Sequence, residues 1–240
     1  MRNSLLVFLV SISISSFAQD KYIGLSFGYG EYEMYDMKNF QHSLAVSYRS
    51  PVVSEVVVSY PSKKYFGLTF GNQFNTNQRL GLTYQFHNTG GRNSMSDYSG
   101  AYTLDLFLQQ HTLGLTFSQR FFKGKFGPVA QFTGGASISY LILEERLRVF
   151  EEKAEYINNF FGLTFHIEPS GGIYFNFNEF ISAEALMGYS FTGIASYRST
   201  ENPKLFLSSH SYRKAKTNWT GIRIFVSLYF KIPKKKAKTQ

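Results

Sequence analysis

YFGLTFGNQFNTNQRLGLTYQF, residues 65–86, decides how the rest of the chain is read. Phe66, Leu68, Phe70 and Phe74 occupy one side of an alternation, and Gly67, Thr69, Gly71 and Gln73 occupy the other. That period belongs to a strand, whose successive side chains point to opposite faces. Asn75-Thr76-Asn77-Gln78 has turn chemistry, after which Leu80, Leu82, Tyr84 and Phe86 resume the apolar side against Arg79, Gly81, Thr83 and Gln85. The stretch predicts a hairpin with one apolar face and one face of small polar residues.

Its core motif returns along the chain, as GLSF at 24–27, GLTF at 67–70, GLTY at 81–84 and GLTF at 114–117 and 162–165. The same alternation places Ile23, Leu25, Phe27 and Tyr29 on one face of a first strand, and Leu113, Leu115, Phe117 and Phe121 on another. Ala130 to Tyr140, Phe161 to Phe175, Ile181 to Phe191 and Trp219 to Lys231 complete the set. Short turns (75–78, 122–125, 176–179) alternate with long loops (31–62, 89–107, 141–159, 192–217). This predicts an all-β fold, an eight-stranded antiparallel up-and-down transmembrane barrel with long extracellular loops and short periplasmic turns. Ser43 to Tyr60 reads either as an extra hairpin, giving ten strands, or as a loop with a short helix near Met37 to Leu44. Residues 141–157 read either as a surface helix or as strands projecting beyond the bilayer. Pro169 lacks a ladder donor and predicts a bulge or change of face, and Gly90-Gly91 reads as a turn.

Residues 1–18 have the form of a secretory signal peptide, with Arg2, an apolar run from Leu5 to Val10 and small residues at Ser16 and Ala18. The barrel is then expected over 19–231, and the Lys-rich segment 232–240 as a periplasmic tail, with both ends of the mature chain periplasmic. The absence of cysteine means that no disulfide holds the exported chain. The formal net charge of +9 would suit nucleic acid, but export makes anionic lipid the expected partner instead.

A soluble lipocalin-like carrier shares the alternation but would show water many Lys and Glu on its polar face. Here that face is Gly, Ser, Thr and Gln, as a narrow lumen requires. The apolar face carries no charge between its ends, and aromatics gather near strand ends: Tyr22, Tyr29, Phe74, Phe86, Phe121, Phe126, Tyr140, Phe175, Phe180, Phe191 and Tyr229. These are expected to form interfacial girdles.

Thr89-Gly90-Gly91-Arg92, followed by Asp97-Tyr98-Ser99-Gly100, is similar to a loop of Bacteroidetes-type outer-membrane β-barrel proteins of the small OmpA/OmpX-like class. Tyr229-Phe230 resembles the aromatic ending read by barrel-assembly machinery, although ten residues follow it. The resemblance covers nearly the whole mature chain and implies a location and a fold more than an activity.

Arg79, His166, Glu168, Glu184 and Arg223 fall on the polar face, where charges are expected to pair across the lumen, Glu168 and Glu184 with Arg79 or Arg223. His166, Glu168 and Ser170 share that face and include the ingredients of nucleophilic hydrolysis. The enzyme they would make, a barrel acting on lipid A or phospholipid, is the lesser expectation because the groups point inward, away from lipid. The histidines show no metal-ligand spacing and no glycine-rich phosphate loop is present, so no cofactor is expected. Arg198, Lys204, Arg213, Lys214 and Lys216 crowd the last long loop against one Glu201 and would suit lipopolysaccharide phosphates. A monomer with a side-chain-filled lumen, structural or surface-interacting rather than an open pore, is the function these features predict.

Overall fold

The computed structural model describes residues 20–47, 54–57, 60–61, 63–96, 98, 100–208 and 214–232. The signal peptide, residues 233–240 of the Lys-rich tail and Arg213 lie outside them, while Ile232 ends the last strand. The elements are β1 (Asp20–Tyr32), α1 (Tyr35–Ser47), β2 (Ser54–Val57), β3 (Lys63–Gln73), β4 (Gln78–Ser96), β5 (Gly100–Arg120), β6 (Phe126–Val149), β7 (Glu152–Asn176), β8 (Ile181–Thr192), β9 (Arg198–Ser199) and β10 (Gly221–Ile232).

Eight of the strands close a ring in the order β1, β3, β4, β5, β6, β7, β8, β10 and back to β1, every neighbouring pair antiparallel. Closure leaves no unpaired sheet edge within the ring, the condition for a sheet to cross a bilayer. The repeated motif sets the register: Leu25 stands opposite Leu68, and Leu82 opposite Leu115. β2 and β9 only pair onto β4 and β7 outside the ring. Among its described residues the segment from Ser43 to Tyr60 thus holds the end of a helix and one short strand, and the ring has eight strands.

Leu113, Leu115, Leu163, Phe165, Met187 and Ile224 are exposed on the outside of the ring, whereas Thr112, Thr116, Thr133, Ser137 and Ser227 are buried inside it. A soluble carrier of apolar ligands needs the opposite arrangement, so the lipocalin-like reading falls. On β8 the outward residues Ile181, Ala183, Ala185, Met187, Tyr189 and Phe191 cover the roughly 9 to 11 residues that a tilted transmembrane strand needs. No helix among the described residues is long and apolar enough to cross a membrane.

Glycine and hydroxyl positions of the motif meet inside. Thr69 Oγ1 lies 2.9 Å from Thr83 Oγ1, Thr116 Oγ1 lies 2.9 Å from Thr133 Oγ1, and Ser26 Oγ lies 2.7 Å from Ser227 Oγ. Each pair spans two strands and satisfies polar atoms that have no bulk water to bond. Gly114 faces Gly135 across β5 and β6, and a Cβ on Gly135 would sit 2.2 Å from the Leu113 carbonyl oxygen. Glycine is needed at this point because the strands approach too closely for any side chain.

Beyond the apolar belt, β4 to β7 run on as a sheet. Its outward face changes character there: Arg92 pairs with Asp105 through Nε to Oδ1 at 2.5 Å and Nη2 to Oδ2 at 2.9 Å, and Arg146 adds Asp105 and Glu144. Residues 141–157 are accordingly strands that project past the bilayer. Pro169 causes neither a bulge nor a change of face. Alternation continues through it and both flanks keep one register with β8, although the ladder to β8 is interrupted at 168–169. Its side chain points outward and its missing donor costs only that local break.

Gly90-Gly91 is part of β4, not a turn. Gly91 leaves room for Gln41 of α1, whose amide would lie 2.7 Å from an added Cβ and which donates to Arg92 O at 3.0 Å. α1 and the chain after β8 fold over the loop end of the barrel. Met34, Met37, Phe40, Tyr60, Leu106, Leu141, Tyr197, Leu207 and Trp219 are buried there in one apolar cluster. Burial pushes the Tyr60 phenol well above its ordinary range. The cluster stops the mouth of the barrel.

Candidate functional site

The lumen contains two groups of charge at different depths. Arg223, from β10, donates through Nη1 to Glu168 Oε2 of β7 at 2.5 Å and to Gln85 Oε1 of β4 at 3.3 Å. Its Nη2 donates to Gln110 Oε1 of β5 at 3.3 Å. Arg223 and Glu168 are wholly buried. The guanidinium therefore ties four strands from opposite sides of the ring and fills the passage between them.

His166 completes this level. Its Nδ1 lies 3.3 Å from Ser190 Oγ and its Nε2 lies 3.8 Å from Glu168 Oε2. Ser170 does not join it; its hydroxyl donates to the Gln131 carbonyl at 3.2 Å. The serine nearest the imidazole is Ser190, which the spacing along one strand could not reveal because it comes from the neighbouring strand. Serine, histidine and glutamate here are all buried, with the carboxylate committed to Arg223. Their contacts join β7 to β8 and β10.

Near the turn end, Arg79 of β4 and Arg120 of β5 converge on Glu184 of β8. Arg120 donates to Glu184 Oε1 from Nε at 3.1 Å and Nη2 at 3.0 Å, to Asn176 Oδ1 at 2.9 Å and to Ser182 Oγ at 2.9 Å. The Arg79 guanidinium lies over the Tyr229 ring at 3.8 Å and near Tyr22 at 5.6 Å. Both tyrosines are buried, which corrects their assignment to the girdle. They belong to the inward parity of β1 and β10, and Gly24 and Gly81 leave the space their rings occupy. Phe74, Phe121, Phe126, Phe175 and Phe180 do stand exposed around the turn end, as Tyr29, Tyr140 and Phe191 do toward the other.

Arg79 pairs with Glu184 and Arg223 with Glu168, a choice the sequence reading left open, and His166 lies beside Glu168. Arg120 was missed. Its signal was available: it follows Thr116 and Ser118 on the inward parity of β5. Of the five loop cations, Arg198 and Lys214 come together on the Phe206 ring, at 5.0 Å and 3.6 Å. Lys204 and Lys216 are exposed nearby in the same returning loop.

No protein-family model matches the chain, and no curated protein matches it by sequence. Solved structures do resemble it. Neisserial surface protein A is 8% identical over 89% of this chain and 97% of its own, with a TM-score of 0.42. The outer membrane protein OprG from Pseudomonas aeruginosa is 14% identical over 90% and 97%, with a TM-score of 0.40. The outer membrane protease OmpT from Escherichia coli is 10% identical over 89% and 97%, with a TM-score of 0.39. At such identities and scores no activity of theirs passes to this chain, and the barrel rests on its own strand ring.

Proposed function

We propose that the chain is an outer-membrane barrel that seals its own lumen and acts as a structural or surface-interaction protein through what it carries at the loop end. The observation that supports this is the double closure. Arg223 and its partners block the middle of the barrel, and the apolar cluster around Trp219 blocks the loop end. An eight-strand barrel has an interior only wide enough for side chains, and these side chains are tied to one another.

In this reading the turn end is periplasmic, together with both ends of the barrel, since Lys21 pairs with Ile232 there. The long hairpins and the returning loop then stand outside the cell. Arg198 and Lys214 on Phe206, with Lys204, Arg213 and Lys216, would contact lipopolysaccharide phosphates. Tyr229-Phe230 would be read by barrel-assembly machinery, and the OmpA/OmpX-like membership drawn from the sequence belongs to the same proposal. The enzyme alternative is disfavoured by the burial of His166, Glu168 and Ser190 away from lipid. Reconstitution in planar bilayers tests the proposal: no steady conductance is expected, and reproducible ohmic steps would contradict it.

A further inference from the structure

Charge in the membrane-crossing part of the lumen is unevenly matched. In the loop half Arg223 meets Glu168, one cation to one anion. At the turn-end rim Lys231 meets Asp20 at 2.6 Å. Between them, Arg79 and Arg120 share Glu184 alone. Among the buried groups at that level one positive charge is in excess, on residues that are 4% and 7% exposed. A buried cation without its own counter-ion is costly.

The two arginines differ in how far they are satisfied. Arg120 bonds Glu184, Asn176 and Ser182. Arg79 has a single hydrogen bond, to Glu184, and its guanidinium is otherwise held by the face of Tyr229. Stacking of this kind fixes the plane of the fork without using its N–H donors. Both arginines line a cavity of about 410 Å³, together with Tyr22, Tyr229, Asn176 and Ser182 and with two charged residues of the turn end, Lys231, which meets Asp20, and Glu179, which is exposed in the β7–β8 turn. The cavity opens at the turn end, between the ring and the β7–β8 turn.

We propose that this vestibule is a binding site for a small anion, a carboxylate or phosphate group entering from the turn end, with Arg79 as its principal ligand and Arg120 supplying the second charge. A guanidinium whose plane is fixed and whose donors other than the one given to Glu184 are unused matches the two oxygens of either group. The chamber has room for the head of a small molecule, and Tyr22 and Tyr229 give it apolar walls. The site is independent of the closure of the lumen above it and of which compartment the turn end faces.

The test uses the full-length protein folded in detergent, with the thermal unfolding midpoint read from its gel migration. Inorganic phosphate and acetate are titrated separately, each against sodium chloride at matched ionic strength. The midpoint is expected to climb with the logarithm of anion concentration for at least one of them. A rise with phosphate alone assigns a phosphorylated ligand, with acetate alone a carboxylate ligand, and with both the shared chemistry. Arg79→Gln should abolish the rise. Ser182→Asp keeps every arginine and places a carboxylate in the vestibule, so it should abolish the rise while the barrel still folds. No rise with either anion, or an undiminished rise in Ser182→Asp, would overturn the proposal.

Discussion

Arg223 and Glu168 meet at 2.5 Å in the centre of the barrel, both without solvent exposure, although their strands β10 and β7 are separated in the ring by β8. The contact is therefore a tie across the lumen and not part of any strand ladder. Removing one partner leaves a buried charge alone, which costs about 3 to 5 kcal/mol. Glu168→Leu and Arg223→Met are each expected to lower the unfolding free energy measured in urea by that order, and the two together to recover much of the loss. Additive losses in the double variant would show that the pair is not coupled.

Trp219 is the chain's one tryptophan and lies wholly buried in the apolar cluster at the loop end, edge-on to Tyr32 with ring centroids 5.0 Å apart. Its fluorescence should be blue-shifted in the folded protein and almost untouched by acrylamide, becoming quenchable only on unfolding. Free quenching of the folded protein would mean that the loop end stands open.

Gly135 and Gly114 let β5 and β6 approach closely. Gly135→Val has nowhere to place its side chain except against the Leu113 carbonyl, so the strands must part. Overpacking of this kind costs about 1 to 3 kcal/mol, to be read as a lower urea midpoint. Gly124→Val, in the β5–β6 turn, meets nothing closer than 3.7 Å and serves as the control. Equal effects of the two changes would contradict the close approach.

Leu115 faces outward in the middle of the apolar belt, and Leu147 lies on the β6 extension beyond it, both exposed. Exposure to lipid and exposure to water have opposite consequences for charge. Leu115→Arg should cost about 2 to 4 kcal/mol in vesicles, and Leu147→Arg close to nothing. Comparable costs at the two sites would place the belt wrongly.

Much of this architecture is legible in the alternation from residue 65 to residue 86 and its repeats. Period and turn chemistry are local properties, and parity alone places Arg79, His166, Glu168, Glu184 and Arg223 inside. The same parity also places Tyr22, Tyr229 and Arg120 inside, although two of them are aromatics at strand ends, where girdle residues also stand. What could not be read is tertiary. Met34, Met37 and Phe40 bury themselves against Leu106, Leu141 and Trp219, partners far away in the chain. Gly91 looks like a turn residue until Gln41 is seen to need its space. Ser190 approaches His166 only because β8 lies beside β7.

The central claim, a closed barrel whose apolar face is turned to lipid, is tested most directly by heat-modifiable gel migration of the membrane fraction. The unboiled protein should run faster than the boiled protein, because the closed ring survives detergent until heated. A single unchanged band, or recovery of the protein in the soluble fraction without detergent, would contradict it.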